Sequence, residues 1–134
     1  MLAAQVGINS QLRSVVGSPV LATLISFLVG SLALLIYVLV FQRPATGTLV
    51  SLQTMSWYKW TGGLIGALYV TGVIIVAPRI GVTNTTALIV GGQIIFALFL
   101  DHFGYLGFVR QPINYMRILG ALMLISGVYI ILKN

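Results

Sequence analysis

The sequence has almost no acidic charge and no cysteine. Asp101 is the one acidic residue among 134, and His102 beside it is the one histidine. Without cysteine there is neither a disulfide framework nor a thiolate metal site. A nucleophile, a base and a set of metal ligands cannot be assembled from a single carboxylate and a single imidazole. We therefore predict that the protein is not an enzyme and holds no metal and no cofactor.

Charged residues of both signs are scarce. They make up 6% of the chain, against about 25% in a typical soluble domain, while hydrophobic residues reach 59%. Such a chain cannot cover a globular surface with groups that water solvates, so its main solvent is the lipid bilayer. We predict an all-α polytopic membrane protein, with residues 1–134 forming a single transmembrane domain of five spans. The predicted spans are approximately 1–12, 20–41, 60–77, 85–103 and 114–132.

The first predicted span is shorter than a membrane crossing. Eleven residues of helix reach about 16 Å, whereas the hydrocarbon core is about 30 Å thick. We therefore expect the first helix to be incomplete at its start. Gln5 and Asn9 are four residues apart and share one face of it. Their amides either line a pathway through the membrane or cross-link helices.

Turn and capping residues predict where the later spans begin and end. Ser18 is predicted to cap the second span, with Pro19 at its first helical position. Pro78–Arg79 is expected to stop the third span, and residues 84–86 to start the fourth. Residues 112–114 are expected to initiate the fifth span.

Small residues recur at helical spacing within the spans. In lipid, such residues let helix backbones approach closely, and a GxxxG pair in an apolar segment indicates close helix contact. In the fifth span two glycines seven residues apart suggest a contact seam, which could lie between subunits. The predicted helix-packing residues are Ser26, Gly30, Gly62, Gly66, Gly120 and Gly127.

Aromatic residues mark the start of the third span. Trp57, Tyr58 and Trp60 surround Lys59, a composition typical of the headgroup level of a bilayer. An aromatic cage for a cationic ligand is the alternative interpretation. The preceding residues 49–55 are expected to form a short helix at the interface.

The lone carboxylate organises the fourth span. Gln93 and Asp101 lie on one helical stripe, with Gln93 near mid-depth and Asp101 near one surface, while His102 points away from that stripe. Because an ionised group in a span is costly, we expect Arg117 or Arg110 to pair with Asp101. Coupling to protons or gating is the alternative role, for which the candidates are Asp101, His102 and Arg117, with Asp101 and His102 as the titratable groups.

The cationic residues stand singly at the ends of the spans, which is typical of membrane flanks and argues against nucleic-acid binding. With five crossings, four cations fall on one side and three on the other, so orientation has almost no bias. Two oppositely oriented copies could then form an inverted repeat, as transporters use for alternating access. The first side holds Arg43, Lys59, Arg110 and Arg117, and the second holds Arg13, Arg79 and Lys133.

Several motifs along the chain match those of one family. They are Gln5–Asn9, Gly17–Pro19 with Ala22 and Ser26–Gly30, Trp60 with Gly62–Gly63 and Gly66–Ala67, Gly92–Gln93, Asp101–Gly104, and Pro112 with Arg117 and Gly120. Together they resemble the YdcZ-like family of the drug/metabolite transporter superfamily. Members of that family resemble half of a ten-span transporter, and a further apolar run precedes the residues that match Gln5–Asn9. The resemblance implies a multi-pass protein of the bacterial inner membrane, an exporter of small metabolites or drugs.

The leading functional hypothesis is a transporter that works as an antiparallel homodimer, or with a paired homologous subunit, by alternating access. Its pathway candidates are Gln5, Asn9, Gln93, Tyr69 and Trp60, and amides in such a cavity favour neutral or zwitterionic metabolites. A passive channel with dual topology is a second hypothesis. A structural or accessory membrane subunit with no pathway of its own is a third.

Overall fold

The computed structural model of the protein describes residues 1–41, 56–107 and 109–133. Within these ranges there are helices and no strand, and four of the helices are long and apolar enough to cross a membrane. The first helix, with 15 residues, is not among those four. This confirms an all-α polytopic membrane protein. The α-helices are α1 (Leu2–Val16), α2 (Pro19–Phe41), α3 (Thr61–Ile80), α4 (Val82–Phe103) and α5 (Tyr115–Lys133).

Two predicted helix starts are confirmed. α2 begins at Pro19, and the hydroxyl of Ser18 accepts a hydrogen bond from the backbone N–H of Leu21 at 3.4 Å. At α5, the side-chain oxygen of Asn114 accepts the backbone N–H of Arg117 at 2.9 Å. Each side chain satisfies one of the donors that the first turn of a helix leaves without a helical partner.

Two predicted boundaries between the third and fourth spans are wrong. Pro78 does not stop α3, which continues to Ile80, and α4 begins at Val82 rather than within residues 84–86. The break falls at Gly81, whose φ of 88° suits a glycine and ends the helix. Thr85 does not cap α4, because its hydroxyl donates back to the Gly81 carbonyl at 2.7 Å. The helix expected over residues 49–55 lies outside the described residues.

One compact unit, Ala4–Pro78, contains most of α1, all of α2 and most of α3. α2 and α3 run antiparallel, because contacts that advance along α2 from Thr23 to Phe27 move back along α3 from Thr71 to Gly66. A Cβ at Gly66 would lie 3.6 Å from the Phe27 ring, so this glycine of the GxxxG pair makes the close approach expected of it. The buried apolar residues of the unit are Val6, Ala22, Val73, Ile74 and Ala77.

The other compact unit, Met1–Ala3 with Arg79–Asn134, is built around α4 and α5. The two helices are in close contact at Gly91, where an added Cβ would lie 3.4 Å from a methyl carbon of Val128. Gly91 is buried, whereas its neighbour Gly92 is exposed and has nothing within 4 Å of an added Cβ. Substitutions at these two glycines therefore distinguish the effect of helix packing on stability from the effect of helix propensity.

We expect Gly91→Leu to destabilise the protein by about 1–3 kcal/mol, because a bulky side chain there forces α4 away from Val128. Gly92→Leu makes the same change of intrinsic propensity without the collision, so it is the matched control and should leave stability near that of the parent. Unfolding by sodium dodecyl sulfate in mixed micelles measures both. Equal losses in the two variants would contradict this packing.

The outer faces of the described helices are strongly apolar. On α2, for example, Leu39 is 72% exposed and Val40 is 65% exposed, and α5 has no buried residue. Leaving so much aliphatic surface in water would be unfavourable, by about 25 cal/mol per Å². The same surface is compatible with lipid, in agreement with spans that face the bilayer.

Candidate functional site

A cross-helix hydrogen bond joins α1 to α2 within the first unit. The Ser26 hydroxyl donates to the side-chain oxygen of Asn9 at 2.5 Å, and Asn9 is only 4% exposed. α1 presents Asn9 because it lies three residues after buried Val6 on the same helical face. This bond fixes one pathway candidate against a residue predicted for helix packing, and it places polar groups inside an otherwise apolar bundle.

A pair of threonines joins α2 to α3. The hydroxyl of Thr23 donates to the Pro19 carbonyl at 2.9 Å, and the hydroxyls of Thr23 and Thr71 are also 2.9 Å apart. Because a hydroxyl has a single proton, Thr71 is the donor of the second bond. Thr23 is buried, at 4% exposure, so both helices meet around a satisfied polar contact.

A guanidinium forms a further polar contact, between α1 and α3. Together with the two contacts above it makes a polar seam, which consists of Asn9, Arg13, Ser26, Thr23 and Thr71. Nη1 of Arg13 donates to the backbone carbonyl of Ile74 at 2.9 Å, in a partly buried position. Pro78 stands four residues after Ile74, and proline has no N–H to give to that carbonyl. Arg13 therefore supplies the donor that Pro78 removes from the helix, which explains how α3 continues through a proline.

Further hydroxyls are buried without a partner. Those of Ser10 and Tyr69 belong to the first unit, and neither has a hydrogen-bond partner among the described residues. Ser10 is three residues before Arg13 and so shares its face of α1. In the second unit the Thr86 hydroxyl is likewise buried and unpartnered, beside a groove of about 600 Å³ that α4 and α5 line with apolar side chains. Such groups in lipid-exposed helices offer hydrogen bonds to a bound molecule.

The expected ion pair of the lone carboxylate is present in the second unit. Nη1 of Arg117 lies 3.4 Å from Oδ2 of Asp101, and the same guanidinium donates to the backbone and side-chain oxygens of Gln111. The backbone N–H of Gln111 in turn donates to the Asp101 carbonyl at 2.8 Å. The network ties the end of α4 to the start of α5 through their connection.

The histidine beside that carboxylate bonds to the same connection. Nδ1 of His102 accepts the backbone N–H of Ile113 at 3.2 Å, which requires Nδ1 to be unprotonated. Arg110 does not pair with Asp101, and its Nε donates instead to the His102 carbonyl at 3.1 Å. Of the two arginines expected near Asp101, Arg117 is therefore the partner.

We expect the Asp101–Arg117 pair to contribute modestly to stability, because the side chains are 36% and 28% exposed. A double-mutant cycle with Asp101→Asn and Arg117→Gln should give a coupling energy of about 0.5–1 kcal/mol. Unfolding in mixed micelles measures it. A coupling energy near zero would contradict a structural pair.

Proton flux into liposomes tests the alternative role of Asp101. If transport by Asp101→Asn is still coupled to protons, Asp101 is not the residue that couples them.

The remaining sequence candidates are less enclosed. Gln5 and Gln93 lie at exposed positions of α1 and α4, and Trp60 is 61% exposed at the end of a 3-10 turn, Trp57–Trp60. Asn9 and Tyr69 are thus the pathway candidates that the first unit encloses. The other predicted packing glycines have nothing within 4 Å of an added Cβ, and these are Gly30, Gly62, Gly120 and Gly127.

Sequence reasoning missed three members of the polar seam, Arg13, Thr23 and Thr71. A signal for Arg13 existed, since it is four residues after Asn9 and therefore on the same face of α1. A proline inside a span also implies a carbonyl that needs another donor. The threonine pair had no comparable signal, because a threonine in a span usually bonds within its own helix.

The helices and these contacts define a multi-pass membrane protein. The chain belongs to the YdcZ family, whose model, described as "Putative inner membrane exporter, YdcZ", matches residues 1–130. It is also 27% identical over 114 residues to the inner membrane protein YdcZ of Escherichia coli strain K12, covering 85% of this chain and 75% of that protein. No solved structure matches the chain. The protein is thus a multi-pass protein of the inner membrane, as the sequence predicted.

Proposed function

We propose that the protein exports small metabolites or drugs across the inner membrane as an antiparallel homodimer that works by alternating access. Export across the inner membrane is the function that the family model describes. The observation that supports a transport pathway in this chain is the polar seam of the first unit, which consists of Asn9, Arg13, Ser26, Thr23 and Thr71. An ionisable residue inside a lipid-solvated bundle, here Arg13, marks a candidate substrate pathway.

The seam also has unused hydrogen-bonding capacity. The hydroxyls of Ser10 and Tyr69 are buried and have no hydrogen-bond partner among the described residues, so the network is not fully satisfied within the first unit. A polar molecule that passes between the helices can satisfy them in turn. This favours a pathway in the first unit over a purely structural role for its amides and hydroxyls.

The balance of cationic residues supports the antiparallel arrangement. Four cations against three is too small a bias to fix one orientation in the membrane. Copies of both orientations would supply the inverted halves that alternating access requires. Each half then contributes its own polar seam to the dimer.

Labelling of single cysteines from one side of the membrane tests this proposal, and the cysteine-free parent gives no background. Ser56 precedes α3 and Val15 lies in the last turn of α1, and both are exposed. We expect an impermeant maleimide to label about half of the Ser56→Cys chains and about half of the Val15→Cys chains. These two sites lie on opposite sides of the membrane in any one orientation.

Because Ser56 and Val15 lie on opposite sides of the membrane, labelling at each site is a control for labelling at the other. A fixed orientation would give nearly complete labelling at one of them and almost none at the other, and it would overturn the antiparallel homodimer. Permeabilised cells should label fully at both sites, which shows that each thiol is reactive. Retained half-labelling after a change of expression level would exclude misinsertion by overloading.

A further inference from the structure

The geometry points to Arg13 as the anchor for an oxyanion, a carboxylate or phosphate, on the compound that the protein moves. This inference rests on the proposed export function, because that function makes the anion part of a transported molecule. Arg13 lies in the last turn of α1 and is partly buried against α3, where its Nη1 holds the Ile74 carbonyl at 2.9 Å. The substrates it assigns are anionic or zwitterionic.

The charge of Arg13 has no counter-charge among the side chains of the chain. Seven lysines and arginines face one acidic residue, and that residue, Asp101, pairs with Arg117. A second copy of the chain would bring the same imbalance, since its own Asp101 has the same partner. The Ile74 carbonyl is neutral, so it accepts a hydrogen bond without balancing the charge. A partly buried guanidinium is stabilised more by an anion than by a neutral carbonyl, because hydrogen bonds between two charged groups are the stronger ones.

The groups around Arg13 are of the right type for an anion. A guanidinium has five N–H donors and no acceptor, and one of those donors is used by Ile74. Ser10, one turn earlier on the same face, has a buried hydroxyl with no partner within the described parts of the chain, and it can donate a further bond. An ionised carboxylate or phosphate accepts hydrogen bonds and donates none, which matches this set.

The polar seam also offers hydrogen bonds to the uncharged part of the transported compound. Asn9 lies four residues, or about 6 Å, before Arg13 along α1. Its amide oxygen accepts the Ser26 hydroxyl, and the Tyr69 hydroxyl, which has no partner in the described ranges, belongs to the same unit. A compound anchored by its anion at Arg13 therefore has neutral polar groups available to it deeper in the span. This arrangement suits small acids and zwitterions rather than simple cations.

The test must separate anion binding from the bond that Arg13 makes to Ile74. Arg13→Gln alone leaves the Ile74 carbonyl without its donor, so loss of binding could reflect damage to α3. Pro78→Ala restores a backbone N–H four residues after Ile74, and the double variant Arg13→Gln/Pro78→Ala then has a satisfied carbonyl and no guanidinium. Pro78→Ala by itself is the matched parent. Arg79→Gln, at an exposed arginine one residue further on, controls for net charge.

The measurement is thermal unfolding of purified, delipidated full-length protein in uncharged detergent, followed by tryptophan fluorescence. The probes are monocarboxylates from acetate to naphthoate, phenyl phosphate, and the primary amide of each acid. A ligand of the folded state raises the unfolding midpoint. We expect at least one acid, and not its amide, to raise the midpoint of the parent, of Pro78→Ala and of Arg79→Gln. The double variant should bind that acid about 10- to 100-fold more weakly.

Three results would overturn the inference. The first is that no acid stabilises the parent more than its amide does. The second is equal affinity of the acid for Pro78→Ala and for the double variant. The third is stabilisation by short-chain phosphatidylglycerol with none by the soluble anions, which would make Arg13 a site for lipid headgroups and reject the assigned substrate class.

The outcome is separable from that of the proposed function, because binding in detergent needs neither transport nor a particular orientation. Labelling that shows one fixed orientation, together with anion binding at Arg13, would remove the antiparallel mechanism and leave the anion site. Half-labelling without anion binding would remove only the substrate class.

Discussion

Removing two cations from one side of the membrane should convert the chain to a single orientation and abolish the proposed antiparallel homodimer. The variant Arg79→Gln/Lys133→Gln leaves four cations against one, instead of four against three. Because the excess of Lys and Arg in short loops sets orientation, we expect about 90% of the chains to face one way. The fraction labelled at Ser56→Cys should therefore move from about half to one extreme. Purified alone, this variant should be monomeric.

A partner with the opposite bias should restore the dimer. Arg43→Gln/Lys59→Gln/Asn134→Lys leaves two cations on the first side and gives four on the second. When the two variants carry different tags and are produced together, we expect them to co-purify one to one. Each tag should retain nothing when its variant is produced with a second copy of the same bias. Dimers from a single-orientation variant alone would refute the antiparallel arrangement.

Much of the fold could be predicted because membrane spans are specified locally. Apolar length gives the spans, and residues such as Ser18 and Asn114 give their starts. The partner of Asp101 was likewise predictable. A lone carboxylate near the end of a span needs a cationic partner, and Arg117 follows it after a short connection. Nothing comparable fixed the end of α3, because whether a proline stops a helix depends on what else can reach the freed carbonyl.

The polar seam shows why the site was harder to predict than the spans. Asn9 was identified from its residue type, but its partner Ser26 was assigned to packing because it falls in a stripe of small residues. The bond of Arg13 joins residues 61 positions apart and ends on a backbone atom, which has no residue type to recognise. Sequence patterns report faces of helices. They do not report which faces of different helices meet.

Substitution of Arg13 should have a large effect on stability, and the effect should depend on Pro78. In the parent, Arg13→Gln leaves the Ile74 carbonyl without a donor in a bundle that excludes water, which costs about 1–3 kcal/mol. In the Pro78→Ala background the N–H of residue 78 takes that carbonyl, so the same substitution should cost well under half as much. The coupling energy is therefore expected to be about 1–2 kcal/mol.

Unfolding by sodium dodecyl sulfate in mixed micelles measures all four members of this cycle. Pro78→Ala alone should be neutral or stabilising, because it adds a helical N–H donor and removes a residue disfavoured in helix interiors. Arg79→Gln is the matched control, since this exposed arginine has no part in the contact and should cost the same in both backgrounds. If Arg13→Gln costs as much with alanine at position 78 as with proline, the guanidinium does not replace the missing N–H. The continuity of α3 through Pro78 would then need a different cause.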